Sequence, residues 1–115
     1  MLGATDGGND TEMHRRVEWL KPSDRPILAE LSRYDGWLKP ASLALNTPYS
    51  QYHVADRMRE LARRGLVERY SADTPAYRAN DLSRAFLGDQ MSVEDLEGLV
   101  ESDLDDMDYP EREDD

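Results

Sequence analysis

Ile27, Leu28, Leu31 and Tyr34 recur with the spacing of one helix face, and the residues ahead of them carry start signals. Ser23 is placed to cap, Asp24 falls in the first turn where negative charge is favoured, and Pro26 is tolerated that early. Asp35-Gly36 ends this helix. "WLKP" has room for one extended step, with Trp37 and Leu38 assigned to the core. Pro40 suits a first helical position. "PASLALN" therefore predicts a short helix that buries Leu43 and Leu45 and stops at Asn46 in a left-handed conformation.

After the turn "NTPYS", Ser50 is a strong N-cap for a third helix that runs to about Arg64 and stops at Gly65. "LVERY" and "AYRAN" flank "SADTP" and predict a hairpin. "NDLSRAFLGD" then sets Leu82, Ala85 and Phe86 at helical spacing behind a capping Asn80, with Gly88 closing the helix. Ser92–Asp95 ("SVED") starts like a capping box, and Leu96, Leu99, Val100 and Leu104 follow as a short apolar stripe. That stripe reads equally as a dimer or partner-docking helix and as a short helix folded onto its own domain. The expected fold is mainly α with a small β-hairpin: helix, extended step, helix, turn, helix, hairpin, helix.

The third helix carries two interleaved sets of residues. Val54, Met58 and Leu61 share one face and should pack inward. Tyr52, Asp56, Arg59 and Arg63 keep the same rhythm two residues earlier. At about 100° per residue, that offset turns them to the opposite, outer side. Ser50 and Gln51 stand at the helix start, where free N–H groups and the dipole favour a phosphate. A polar face with Gln, Tyr and Arg, presented after a short helix and a turn, fits the recognition helix of a helix-turn-helix. Gln can read adenine and Arg guanine. The plainer reading is a solvated surface helix whose Asp56 and Glu60 pair with Arg59, Arg63 and Arg64. Arg69 and Arg78 on the hairpin strands are placed to reach a nucleic-acid backbone, whereas the hairpin tip carries Asp73 and no base. The tip thus lacks the Arg or Lys that a minor-groove wing usually brings.

Charge sharpens this picture. The chain has a formal net charge of -11, a poor start for binding a polyanion. Its charges are segregated, however. Residues 1–14 hold three acids and no base; residues 15–88 hold thirteen Lys and Arg against nine Asp and Glu; residues 89–115 hold thirteen acids against Arg112 alone. The expected organisation is a flexible acidic arm (1–14), one compact domain (15–88) and an acidic C-terminal extension (89–115) with a short helix near 93–101. The extension reads chiefly as a solubility tail, and autoinhibition of the DNA face is the less favoured alternative. Twelve Arg, two Lys and fifteen Asp match the composition of proteins kept soluble in concentrated salt.

Other chemistry finds little support. Cysteine is absent, and His14 and His53 offer no metal-ligand spacing. No paired-carboxylate constellation or Gly-rich phosphate loop occurs, so neither an enzyme, a metal, a cofactor nor a small-molecule ligand is expected. The start of the chain is not a secretory signal and no run spans a membrane, which makes the cytoplasm the default.

"SQYHVADRMRELARRGLVERY" with "AYRANDLSRAFLGD", preceded by "WLKPSDRPILAELSRYDGWLKPASLALN", resembles winged helix-turn-helix regulators of haloarchaea related to the phage phi-H repressor. The resemblance covers roughly residues 17 to 88. It implies a winged helix-turn-helix fold, double-stranded DNA as partner, binding through the third helix, and transcriptional control, often repression. Asp56 departs from the basic or small polar residue usual near that position. The residues expected to meet DNA are Ser50, Gln51, Tyr52, Arg59, Arg63 and Arg78, in a protein that is expected to be a homodimer. The competing expectation is a winged-helix module that docks on another protein and never binds DNA.

Overall fold

The computed structural model describes residues 17–107 and 109. The N-terminal arm, His14 and the last acidic residues lie outside them.

Helix α1 (Asp24–Ser32) buries Ile27, Leu28 and Leu31 completely. Tyr34 has the right spacing but lies beyond the helix end, 42% exposed, with its hydroxyl donating to Glu30 at 3.2 Å. Ser23 does not cap with its side chain; its Oγ lies 2.7 Å from His53 Nε2 on α3. Instead, Asp24 accepts from the Lys21 N–H at 2.9 Å and so fixes the turn that leads into the helix.

Leu38 is the extended step. It exchanges two backbone hydrogen bonds with Tyr77, 2.9 and 2.8 Å, as an isolated antiparallel bridge. Pro40 then starts α2 (Pro40–Leu45), which buries Leu43. Leu45 does not join the core and is 86% exposed. Asn46 is not left-handed (φ -111°); Thr47 Oγ1 donates to the Leu43 carbonyl and ends the helix there.

Helix α3 (Gln51–Arg63) opens on Ser50, whose side chain accepts from the His53 N–H, and buries Val54, Met58 and Leu61. Gly65 adopts φ 82°, which lets Leu66 N–H return to the Leu61 carbonyl and turns the chain into the hairpin. Strands β1 (Val67–Arg69) and β2 (Tyr77–Ala79) pair antiparallel with Glu68 opposite Arg78. Helix α4 (Asp81–Leu87) has a full capping box between Asn80 and Ser83 and buries Phe86. Leu82 stays 37% exposed.

Helix α5 (Val93–Glu97) is shorter than expected and folds back onto the domain. Leu96 is buried in the common core, and its carbonyl accepts from Trp19 Nε1 at 3.3 Å. Val100, four residues on, is 73% exposed. A 3-10 turn at Leu104–Asp106 follows. α3 packs on α2 and β1, whereas α1 reaches α2, α4 and β2. One core therefore supports a helix-turn-helix on one side and a wing beside it.

Candidate nucleic-acid interface

What holds α3 in place is a charge pair under it. Arg57 is 4% exposed and Asp24 fully buried. The guanidinium donates to both carboxylate oxygens, at 2.8 and 2.9 Å, and to the Trp19 carbonyl at 2.8 Å. Burial acts to pull the Arg57 pKa down, but the hydrogen bond and charge of Asp24 outweigh it, and the net shift is upward. This bidentate clamp ties α3 to the start of α1. Sequence rules assign Asp24 a helix-dipole role and see nothing at Arg57, because the partner is thirty-three residues away.

With the inner face fixed, the outer one is set. Gln51, Tyr52, Asp56 and Arg59 are all exposed, Tyr52 to 85%. Ser50 is exposed at the cap. Among the described residues, seven of nine arginines form ion pairs with carboxylates. Arg69 is an eighth case of a different kind: it is buried and clamps the hairpin by donating to the Ser71 and Ala72 carbonyls and to Tyr77 Oη. It is therefore not placed to reach a backbone. Arg59 is the ninth. It is exposed and forms no ion pair among the described residues. The expected pairing with Asp56 and Glu60 thus holds for Arg64, which meets Glu60 at 2.7 Å, but not for Arg59, while Arg63 pairs instead with Glu101 at 3.5 Å.

The wing contributes in a limited way. Arg78 pairs across the strands with Glu68 at 2.6 Å, and its guanidinium lies 4.4 Å from the centre of the Trp37 ring. The Tyr77 phenol is pushed up by burial, against the opposing charges of Arg69, Arg59 and Arg63.

His53 hydrogen-bonds Ser23 and tilts against Tyr49, with ring centres 5.3 Å apart. No group of three or more His, Cys, Asp or Glu that could hold a metal occurs among the described residues. No helix among them is long and apolar enough to cross a membrane.

Two helices joined by a tight turn, the second with an outward polar face and a two-stranded wing after it, define a winged helix-turn-helix domain of the DNA-binding class. The chain belongs to the winged helix-turn-helix phage repressor family, whose model matches residues 13–99 and so runs through α5. It is similar to the repressor protein of Halobacterium phage phiH, 37% identical over 87 residues, which is 74% of this chain and 98% of that protein. No solved structure matches the chain. Family and fold together make it a DNA-binding regulator.

Proposed function

We propose that the protein is a sequence-specific repressor that docks α3 in the major groove of double-stranded DNA, acting as a homodimer in the cytoplasm. The supporting observation is Arg59: exposed, without an ion pair among the described residues, and flanked on one face by Tyr52 and Arg63. Gln51, Tyr52 and Arg59 suit base edges, and Ser50 suits a phosphate at the helix start. Leu45, exposed just ahead of the turn, suits apolar contact with a thymine methyl. Arg63 and Arg78 reach phosphates only by exchanging Glu101 and Glu68 for them. Asp56 repels phosphate and can accept from a cytosine amino group, so it favours selective docking over general attraction. The protein acts by occupying its site and carries no catalytic role.

Selection of bound fragments from genomic DNA in molar KCl tests this reading, and a palindromic consensus is expected. Arg59→Ala should then weaken binding to the recovered site by about 1–3 kcal/mol if it reads a base, or lower the salt slope by about one if it holds a phosphate. Recovery of no fragment, or wild-type affinity in a Tyr52, Arg59 and Arg63 triple alanine variant, removes the assignment. Stable capture of a protein partner without any DNA would favour the docking-module reading.

A further inference from the structure

The acidic segment after α5 does not leave the domain at once. It is anchored where Arg64 Nη1 donates to the Leu99 carbonyl at 2.9 Å, with the same guanidinium 4.9 Å from the centre of the Trp19 ring. Ser102 N–H then donates to the Arg63 carbonyl at 2.9 Å, beside the Arg63–Glu101 pair. A cavity of about 310 Å³ at this junction is lined by Arg63, Glu101, Ser102 and Asp103. Further on, Tyr109 Oη donates to the Leu104 carbonyl. The Tyr109 phenol is pushed up by burial, with Arg69 of the wing opposing and Asp105, Asp103 and Asp73 reinforcing. The segment therefore lies against the C-terminal end of α3, carrying the carboxylates of Glu101 and Asp103 alongside Arg63.

We infer that residues 101–107 form an autoinhibitory strap, which occupies the phosphate-facing side of the C-terminal end of α3 and must be displaced when the duplex binds. The inference rests on the proposed DNA-binding reading and adds a regulatory contact to it. The strap offers Arg63 a carboxylate in place of a phosphate, and Asp103 beside it adds a second charge that repels a backbone. Its contacts are few and solvent-exposed, with both side chains of the Arg63–Glu101 pair over a third exposed, which suits a contact made to be exchanged. Competition is strongest in dilute salt and fades as charges are screened.

The test uses the full chain and the duplex recovered by selection. Neutralising the strap with E101Q and D103N should tighten binding about threefold to tenfold at low salt, with little difference in molar KCl. The same change of charge at α4 and its end, D81N with D89N, should give a clearly smaller gain. Amide exchange at Ser102 should speed up when duplex is added. Equal affinities for the strap and control variants, or a Ser102 amide that stays protected in the bound complex, would overturn the strap. Absence of binding by wild type and both variants would instead reject the DNA reading itself, and the strap with it.

Discussion

The Asp24–Arg57 pair shows how one buried contact sets the working surface. Neither ion is tolerable alone at that depth, so removing one leaves the other without its partner. Asp24→Asn or Arg57→Leu should each cost about 3–5 kcal/mol, and a double apolar replacement should cost less than the sum. Urea denaturation of the four proteins at fixed salt checks this, and additive losses would contradict the coupling. The core residues Ile27, Leu28, Leu31, Val54, Met58 and Leu61 are legible in the sequence because burial follows a local period. Tyr34 misleads because the period continues past the end of its helix, whereas Leu45, two residues and about 200° round from Leu43, falls on the outer side of α2. The outer position of Tyr52 and Arg59 follows from spacing. That Arg59 alone among the exposed, described arginines lacks an ion pair does not, because it depends on where every other carboxylate lies.

Each boundary among the elements is a local chemical decision, and several can be read directly. Ser50, Asn80 and Ser92 all cap with their side chains. Gly65 is the sharpest case. A Cβ there would meet only Leu82 Cδ1, at 3.9 Å, so space is no obstacle. The backbone at φ 82° is the obstacle. Gly65→Ala should therefore destabilise by about 1–2 kcal/mol, and Gly65→Asn by less, without change in the reading face. Equilibrium unfolding of both variants tests the ordering, and an alanine variant as stable as wild type would contradict it. Leu38 as a third extended partner of the hairpin is less legible, since a single bridge leaves no alternating pattern. Arg69 reads as a free strand cation only until the hairpin curls its carbonyls around it.

For the whole molecule, the segregation of charge matters more than its total. The carboxylates of residues 89–115 repel one another, so screening should stabilise the fold. The Tm should rise as KCl is increased from about 0.1 M to the molar range, with aggregation worst in dilute salt. A Tm indifferent to KCl would count against that view. The location of the acids is plain in the sequence, but their return to the end of α3 is not, because it depends on the Ser102 N–H meeting the Arg63 carbonyl and the Leu99 carbonyl meeting the Arg64 guanidinium, far away in the chain. The paired hydrogen bonds between Leu38 and Tyr77 carry a mechanical consequence. They join the loop end of the hairpin ladder, where Tyr77 stands opposite Arg69, to the residue just before Lys39 and α2, and α2 lies against α3. Under the proposed docking, a load on the hairpin near its tip would pass through Leu38 to α2 and so to the seat of α3, even though that tip carries no base.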